Sequence, residues 1–301
     1  MPVSTHSRTP PFGESNPGSV EHTGRLIVTG RDHPGIVATV STILQEFGAN
    51  IVSLDQYSTD AEGGSFFQRT VFDLADLNAR RPELEAKFAE RLSNDGLDWN
   101  LTLAQQLKRV AIFASKSDHC LVELLWRHRR GELKVDIPMV ISNHSDHAEL
   151  VRQFGIPFFY VPVTGDKKEA EREHLRLLKG NVDLVVLARY MQIISDDFLV
   201  EVDVPVINIH HSFLPAFIGA GPYKKAKERG VKLIGATAHY VTKDLDEGPI
   251  IEQDVVRVSH AETVEDLARY GADVERQVLA RAVAWHCEDR VVRSGNSTVV
   301  F

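Results

Sequence analysis

The first part of the chain carries apolar residues at two different periods. Short runs of β-branched and aromatic residues predict strands, and the residues from Ile36 to Phe47 repeat at helical spacing until Gly48 stops the pattern. Gly63-Gly64, between two strand-like runs, predicts a hairpin. The predicted order is β-α-β-β-α-β. The elements are strand Arg25–Gly30, helix Ile36–Phe47, strands Asn50–Tyr57 and Phe66–Phe72, helix Pro82–Leu92 and strand Trp99–Leu103.

A different pattern begins after residues 104–108. Short apolar runs alternate with helical patterns, which predicts right-handed crossovers and a parallel sheet that is buried on both faces. A long amphipathic stretch, Thr263–His286, predicts a C-terminal helix. The predicted strands are Arg109–Ala114, Pro138–Ser142, Phe158–Pro162, Asp183–Ala188, Val206–Ile209 and Gly235–Thr242, and the helices between them are Cys120–His128, Asp146–Phe154 and Lys168–Lys179.

These patterns predict an α/β protein with two domains. Residues 24–104 have the element order of a ferredoxin-like module, and residues 108–301 are expected to form a Rossmann-like domain with a mostly parallel sheet. The first 22 residues are rich in Pro, Ser, Gly and Thr and have no apolar core like that of a signal peptide. We therefore expect residues 1–23 to be a disordered leader.

Composition and charge narrow the classes of function. The 301 residues are 43% hydrophobic and 25% charged, which is ordinary for a globular chain, and the net charge of -8 argues against nucleic acid as a partner. The apolar runs are shorter than the roughly 18 residues of a membrane span. Two distant cysteines, Cys120 and Cys287, predict neither a disulfide framework nor a cysteine zinc site. We expect a cytoplasmic protein.

Polar side chains gather where two predicted strands of the second domain end. Asn208 and His210 come at the end of one buried run, and His239 lies in the next one, which leads into a turn that contains Asp246. Open α/β folds bind their ligands at the carboxyl ends of strands. An amide, an imidazole and a carboxylate placed there can stabilise an oxyanion and transfer protons. We expect Asn208, His210 and Asp246 to form a catalytic site.

Other interpretations of these residues remain open at this point. Asn208 can satisfy backbone groups at a strand end, and Asp246 is an ordinary residue for a turn. His210 and the adjacent His211 are expected to point in opposite directions, which makes His211 the structural one. His210, His239 and Asp246 are also zinc ligand types. Their spacing matches no usual zinc motif, so we expect no metal.

Residues 25–104 resemble an ACT domain, both in the order of elements and in the turn Asp32-His33-Pro34-Gly35-Ile36 after the first strand. ACT domains often bind amino acids, and the free N–H groups at the start of the helix can meet a carboxylate. Alternatively, Asp32 only caps the helix and the module dimerises the chain. The two roles can coexist. The resemblance implies these effector-facing positions: Asp32, Gly35, Ile36, Asn50 and Ile51.

The second domain resembles the folate-dependent formyltransferases. The resemblance rests on Asn208-Ile-His210, Ser212-Phe-Leu-Pro215 and Leu245-Asp246-Glu-Gly-Pro249. The longer segments His210–Phe217 and Gly235–Val241 are similar to the 10-formyltetrahydrofolate deformylases, in which an ACT-like domain also comes first.

This resemblance implies a function and a set of site residues. It implies hydrolysis of 10-formyltetrahydrofolate to formate and tetrahydrofolate, which supplies formate for purine synthesis and balances the one-carbon pool. Water is the acceptor, and no cofactor is needed besides the folate substrate. Asn208, His210 and Asp246 match the catalytic set, and His239 matches a histidine that lines the same site.

The resemblance also places the folate pterin against the segment that follows the strand Asp183–Ala188. Packing in the core is the alternative for the apolar residues Met191 and Ile193. The folate-binding positions implied by the resemblance are Met191, Gln192, Ile193, Ile194, Val241 and Thr242.

Departures from the family patterns bear on the acceptor. The ribonucleotide formyltransferases carry a glycine-rich phosphate loop after the first strand, whereas Ala114–Cys120 contains no glycine. Water is therefore the expected acceptor, and an amine such as glycinamide ribonucleotide is the alternative. Methionyl-tRNA formyltransferase has an extra C-terminal domain and needs a basic face, which does not fit this acidic chain. Ile218 stands where the deformylase pattern leads us to expect lysine, which puts contacts near Phe217–Gly219 in doubt.

The deformylase resemblance has consequences for regulation and assembly. The family responds to methionine and glycine, so these are the first effectors to test. We expect a homo-oligomer built from dimers, either a tetramer or a hexamer.

Overall fold

The computed structural model describes residues 20–60, 62–165, 167–215 and 221–301. Within these residues the chain forms a four-stranded sheet, a seven-stranded sheet and a two-stranded hairpin. Most of the predicted leader lies outside the described residues, but Val20–His22 form a 3-10 turn and Thr23 already belongs to the first strand. No helix in the described part of the chain is long and apolar enough to cross a bilayer.

The N-terminal domain has the predicted ferredoxin-like architecture. Its strands pair antiparallel in the order β2-β3-β1-β4. Both helices pack on this sheet through one hydrophobic core, which includes Leu26 of the first strand, Ile43 and Phe88. The elements are β1 (Thr23–Arg31), α1 (Ile36–Glu46), β2 (Asn50–Ser58), β3 (Ser65–Asp73), α2 (Leu77–Leu92) and β4 (Asp98–Leu103).

Helix α2 begins earlier than the sequence pattern predicted. It starts at Leu77, and Pro82 lies inside it rather than in its first turn. A proline inside a helix removes one backbone hydrogen bond and usually kinks or ends the helix. Here the buried side chains of Leu77 and Leu84, on either side of Pro82, pack into the domain core. Tertiary packing therefore outweighs the local preference of proline for a helix start.

The second domain contains the predicted mostly parallel sheet. The strand order is β11-β10-β9-β8-β5-β6-β7, in which β10 and β11 run antiparallel to their neighbours. The elements are β5 (Arg109–Ala114), α3 (His119–Arg129), β6 (Asp136–Ser142), α4 (Ala148–Gln153), β7 (Phe158–Tyr160), α5 (Lys167–Leu178), β8 (Leu184–Ala188), α6 (Asp196–Val202), β9 (Val206–His210), α7 (Pro222–Arg229), β10 (Leu233–Tyr240), β11 (Ile250–Arg257), α8 (Val264–Cys287), β12 (Val291–Ser294) and β13 (Ser297–Val300).

Five of these elements were not predicted: α6, α7, β11, β12 and β13. Helix α7 is highly charged and buries only Pro222 and Ala226, so its sequence shows no helical apolar period. Strand β11 lies at the sheet edge and is only partly buried. The strands of the hairpin β12–β13 are short, and the chain reverses at Gly295, whose φ of 59° suits a residue without a side chain.

A buried arginine joins the two domains. Arg69 of β3 is 2% exposed, and its guanidinium donates hydrogen bonds to the carbonyls of Glu288 (3.0 Å) and Asp289 (3.1 Å) at the end of α8. The carboxylate of Asp289 accepts hydrogen bonds from Thr102 Oγ1 (2.7 Å) and from Lys108. The C-terminal end of α8 is thus attached to the sheet of the N-terminal domain.

Candidate active site

The register of β9 and β10 brings the predicted polar residues onto one face of the sheet. Asn208 lies opposite His239, and His210 lies opposite Thr237. Residues directly opposite each other in an antiparallel pair, and residues two positions apart on one strand, project from the same face. Asn208, His210 and His239 therefore share a face. Because β10 is antiparallel to β9, its end does not reach the carboxyl edge of the sheet, where we expected both strands to deliver their polar groups.

The loop after β10 brings the carboxylate back to this face. Its two ends are held by hydrogen bonds from Tyr240 N to Pro249 O (2.9 Å) and from Val241 N to Val206 O (2.8 Å). A Cβ at Gly248 would lie 1.8 Å from the carbonyl oxygen of Tyr240, so only glycine permits this close approach. Asp246 adopts φ 58°, in the left-handed region that Asp tolerates better than most residues.

Asp246 lies between two imidazoles. Its Oδ2 is 3.3 Å from His210 Nδ1, and its Oδ1 is 3.7 Å from His239 Nε2. The hydrogen bond with His210 is the main cause that lowers the pKa of Asp246 below 3.8, and it outweighs the opposing effect of burial. The carboxylate is therefore ionised at neutral pH and can accept a proton.

The hydrogen bonds of His239 define its tautomer. Nδ1 donates to the carbonyl of Tyr240 (3.0 Å), which leaves Nε2 to accept from the side-chain amide of Asn208 (3.3 Å). Burial lowers the pKa of His239, despite the Tyr240 carbonyl and the charge of Asp246, so the ring is neutral. This contact orients the Asn208 amide and leaves its second N–H for another acceptor.

One ring nitrogen of His210 is not used by the part of the chain that the structure describes. Its Nδ1 faces Asp246, while Nε2 is buried and has no hydrogen-bond partner among the described residues. Buried polar atoms without a partner are uncommon in folded proteins and often mark a functional site. With Nδ1 facing Asp246, an Nε2 that carries a proton is placed to donate it to a substrate oxygen in the cavity.

His211 also lies in the wall of the site, contrary to the prediction that it points away. Its ring centroid is 5.2 Å from that of His210 and 6.1 Å from that of Tyr223. Strand β9 ends at His210, so the alternation of side chains that the prediction used no longer applies at residue 211. Burial lowers the pKa of His211 to about 4.

These residues line a cavity of about 440 Å³, which falls in the size range of small-molecule sites. Met191 and Ile193 are 58% and 63% exposed, so their alternative interpretation as core residues is wrong. All the predicted folate-facing residues lie in the cavity wall: Met191, Gln192, Ile193, Ile194, Val241 and Thr242.

Hydrogen bonds fix the segment after β8. Met191 N donates to Ser115 Oγ (3.1 Å), and Ser115 Oγ in turn donates to Asn143 (2.6 Å). Arg189, at the start of this segment, has φ 61° and lines the cavity. Arg189 was not among the predicted folate-facing residues, although it adjoins the segment that contains them.

The loop after β5 does not form a phosphate-binding nest of glycine N–H groups. It has no glycine, and the residue at the N-cap of α3 is the acidic Asp118. A carboxylate at the start of a helix repels a phosphate rather than attracting it. A side chain from outside the loop holds its backbone, because His147 Nε2 contacts the carbonyl oxygen of Lys116 at 3.1 Å.

The alternative zinc set has its polar atoms engaged elsewhere. His239 uses both ring nitrogens within the protein, and His210 Nδ1 is already paired with Asp246. Ligand atoms of His119, Cys120 and Glu275 also lie within 4.8 Å of one another. Burial raises the pKa of Cys120 well above 9.0 and keeps its thiol protonated, and Arg189 lies beside Glu275. A protonated thiol is a poor metal ligand.

In the N-terminal domain, Asp32 does not cap helix α1. The N-cap is Gly35 (φ 102°), with no side-chain hydrogen bond, and the carboxylate of Asp32 instead accepts from Ser58 Oγ at 2.5 Å. Ile36 is 2% exposed and belongs to the core, so its side chain does not face a ligand. Asn50 is exposed at the start of β2, and Ile51 is partly buried beside it. The predicted Ile218 contact lies outside the described residues.

Comparisons with known proteins agree with both domain predictions. A family described as "Formyl transferase" matches residues 108–283, and one described as "ACT domain" matches residues 24–89. A formyltetrahydrofolate deformylase of Mycobacterium tuberculosis is 61% identical over 280 residues, 92% of this chain and 90% of that protein.

Two solved structures show how far the similarity extends. A formyltetrahydrofolate deformylase from Pseudomonas syringae pv. tomato is 48% identical and matches with a TM-score of 0.86, over 93% of this chain and 94% of that one. A glycinamide ribonucleotide transformylase from Symbiobacterium toebii is 32% identical with a TM-score of 0.62, over 65% of this chain and 94% of that one. The first similarity extends over both domains.

Proposed function

The chain belongs to the formyltetrahydrofolate deformylase family, and on that basis we propose that Asn208, His210 and Asp246 carry out its hydrolysis of 10-formyltetrahydrofolate to formate and tetrahydrofolate. The observation that supports these roles most strongly is the contact of Asp246 with His210, whose Nε2 is buried and unpartnered among the described residues. The released formate supplies purine synthesis and balances the one-carbon pool.

The first step is the attack of water on the formyl carbon. Asp246, whose pKa is lowered mainly by the hydrogen bond with His210, orients the water and takes its proton as the new C–O bond forms. The carbonyl oxygen becomes an oxyanion. It accepts hydrogen bonds from His210 Nε2–H and from the N–H of Asn208 that His239 does not use. One such donor contributes about 3 kcal/mol to transition-state stabilisation.

The second step breaks the bond between the formyl carbon and the folate nitrogen. The nitrogen leaves with the bonding electron pair and takes up one proton, and the proton that Asp246 or His210 holds is the available source. The carbonyl re-forms as the C–N bond breaks, and the hydroxyl that came from water loses its remaining proton to the solvent, so the product departs as the formate anion. The enzyme returns to its starting protonation state, and the reaction needs no cofactor besides the folate substrate.

The folate is bound between two segments of the cavity wall. Met191 to Ile194 provide a largely apolar surface on one side, and Val241 with Thr242 provide the other. A flat ring system is stabilised in such a slot by apolar contact, while backbone N–H and C=O groups fix its orientation.

A formate-release assay tests this function. The protein is incubated with 10-formyltetrahydrofolate and no amine, and formate and tetrahydrofolate are measured. We expect equal amounts of both products. Strict dependence on an added amine would contradict hydrolysis and support the transferase alternative, which the family membership does not favour.

The N-terminal domain is proposed to bind an amino-acid effector near Asp32, Gly35 and Asn50. Asp32 is held by Ser58, so an amino group reaching this turn would compete for the same carboxylate. Methionine and glycine are the effectors to test, by measuring formate release at increasing concentrations of each. An unchanged rate with both amino acids would contradict this assignment.

We also propose that this domain assembles the oligomer. Strand β2 lies at an edge of its sheet, where Val52 and Tyr57 are 41% and 49% exposed. An exposed edge strand is a ready surface for pairing with a second copy. Light scattering after size exclusion would distinguish a dimer-based tetramer or hexamer from a monomer. The two buried, unpaired cysteines support a reducing, cytoplasmic location.

A further inference from the structure

One wall of the cavity is backed by a charged cluster that hydrolysis does not use. Arg189 and His211 line the cavity, and Glu275 of α8 lies behind them, 2% exposed. Glu275 Oε2 is 3.3 Å from Arg189 Nε and 2.9 Å from His119 Nε2, and Oε1 accepts from the hydroxyl of Tyr223 at 2.6 Å. The four side chains, here called the Glu275 cluster, come from α3, the segment after β8, α7 and α8.

Three neighbouring side chains hold the carboxylate of Glu275 in place. Burial alone would raise the pKa of Glu275, but the hydrogen bond from His119, the charge of Arg189 and the hydroxyl of Tyr223 outweigh it and lower the pKa. The carboxylate is therefore ionised, and both of its oxygens are engaged. A buried pair of this kind is costly to separate, which makes the cluster a rigid structure.

Two backbone positions allow the side chains of Arg189 and Tyr223 to occupy this wall. Arg189 adopts φ 61°, where glycine would be unstrained and any residue with a Cβ is strained. Gly271 of α8 is its counterpart, because a Cβ there would lie 1.9 Å from the hydroxyl of Tyr223. The arginine at position 189 contacts Glu275, and the absence of a side chain at Gly271 leaves room for Tyr223 to contact Glu275 as well.

We propose that the Glu275 cluster determines the acceptor specificity of the enzyme by filling the space beside His211 into which an amine acceptor would otherwise enter. His211 lies between the Glu275 cluster and the reaction site. Its ring centroid is 6.1 Å from that of Tyr223 and 5.2 Å from that of His210. The transformylase from Symbiobacterium toebii has the same domain fold, so this fold can house an amine-accepting site. Here the wall leaves room for water.

This inference rests on the proposed function. In both reactions a nucleophile adds to the formyl carbon and the folate nitrogen leaves with a proton. With water the product is formate, and with an amine it is an N-formyl amine after loss of one amine proton. The two products therefore compete for one formyl group, and their ratio reports which nucleophile reaches the carbon.

The test is a partition experiment on the full-length protein. It is supplied with 10-formyltetrahydrofolate and either glycinamide or glycinamide ribonucleotide, and formate and N-formyl product are quantified. We expect the wild type to give formate alone. Arg189→Gly keeps the left-handed backbone and removes the wall, and we expect it to form N-formyl product at a level at least tenfold above the detection limit, which the wild type does not reach.

Two further variants make the outcome decisive. Tyr223→Ala opens the same wall from α7 and retains the pair of Arg189 and Glu275, so the ratio should rise here as well. Tyr160→Ala is the matched control, because this ring is 55% exposed on β7 and does not line the cavity. Its ratio should match that of the wild type. Circular dichroism and thermal unfolding establish which variants are folded.

The proposal is overturned if folded Arg189→Gly or Tyr223→Ala keeps the wild-type ratio, or if the wild type itself formylates either amine. Failure of the proposed function gives a different result, in which the wild type releases no formate without an amine. The two failures are therefore distinguishable.

Discussion

Two clusters of ionisable side chains lie within one domain, and they differ in how completely the oxygens of the central carboxylate are used. Around Asp246, the carboxylate contacts two imidazoles at 3.3 and 3.7 Å, and His210 Nε2 is buried without a partner among the described residues. Around Glu275, the carboxylate accepts from His119 at 2.9 Å and from Tyr223 at 2.6 Å, with Arg189 beside it.

The difference indicates which cluster takes part in catalysis and which one stabilises the fold. A carboxylate with both oxygens engaged stabilises its surroundings and has little capacity left for a substrate. A buried nitrogen without a partner is ready for a ligand, and the free energy of desolvating it is recovered when the ligand binds. Both clusters contain such a nitrogen among the described residues, His210 Nε2 beside Asp246 and Arg189 Nε beside Glu275. The carboxylates distinguish the clusters, because Glu275 accepts short hydrogen bonds at both oxygens, whereas the contacts of Asp246 are longer.

The largest expected effect on turnover is that of a substitution at Asp246. For Asp246→Asn we expect kcat to fall by about 10³-fold or more, because the variant loses the proton acceptor and the charge that supports His210. Folate binding should change by less than about tenfold. Asp244→Asn, an exposed residue in the same loop, is the matched control. Near-normal turnover in Asp246→Asn, measured by formate release, would remove Asp246 from the mechanism.

Asn208→Ala should produce the next largest effect. Its amide contacts His239 Nε2 at 3.3 Å, and we assign its other N–H to the oxyanion. Removal of one oxyanion donor typically reduces kcat by about 10²–10³-fold. The KM should change little, since the interaction strengthens only in the transition state. A rise in KM at unchanged kcat would instead make Asn208 a binding residue.

Glu275→Gln tests the other cluster, where we expect a loss of stability rather than of turnover. The variant leaves the buried Arg189 without its counter-charge, and the free energy of unfolding should fall by about 3 kcal/mol. Denaturant unfolding measures this, while formate release should stay within about tenfold of the wild type. Asp273→Asn on the same helix removes an exposed pair with Arg276 and should cost less than about 1 kcal/mol. Equal losses in the two variants would contradict the comparison.

His174 extends the comparison to a buried group that takes part in neither cluster. It is 1% exposed and packs against Phe113 and Tyr190, and neither ring nitrogen has a partner among the described residues. Burial lowers the pKa of His174 to about 4 from 6.5. Between these values the unfolded chain binds a proton that the folded chain does not, so the free energy of unfolding falls as the pH falls.

His174→Phe should therefore weaken this acid dependence. The aromatic shape is retained among Phe113, Tyr190 and Phe198, and the group that titrates in the unfolded chain is removed. We expect a gain of on the order of 1–2 kcal/mol near pH 5 relative to pH 7. Denaturant unfolding at the two pH values measures it. An unchanged difference between wild type and variant at the two pH values would contradict the assignment.

Much of the fold was predictable because its apolar periods are local. The strands Arg109–Ala114 and Val206–Ile209 were predicted almost to the residue, and the first domain was recognised from its element order. Helix α7 and strand β11 were not predicted, because a charged surface helix and an edge strand bury too few residues to give a clear apolar period. The start of α2 was misplaced because core packing outweighs the local effect of Pro82.

The candidate site was predictable in its residue types but not in its geometry. Asn208, His210 and Asp246 were selected from their positions at strand ends and from the family resemblance. The assembled arrangement depends on the antiparallel register of β9 and β10, which no local pattern reports. His211 was assigned to the wrong side because the alternation of a strand was extended one residue beyond its end.

The sequence by itself determined the two domains, the order of their main elements and the identity of the polar groups at the site, because apolar periodicity and residue chemistry are written locally along the chain. Only the tertiary structure decided which polar atoms are satisfied. Whether His210 Nε2 is unused while both oxygens of Glu275 are engaged depends on side chains from distant segments meeting within about 3 Å, and that is a property of packing rather than of spacing along the chain.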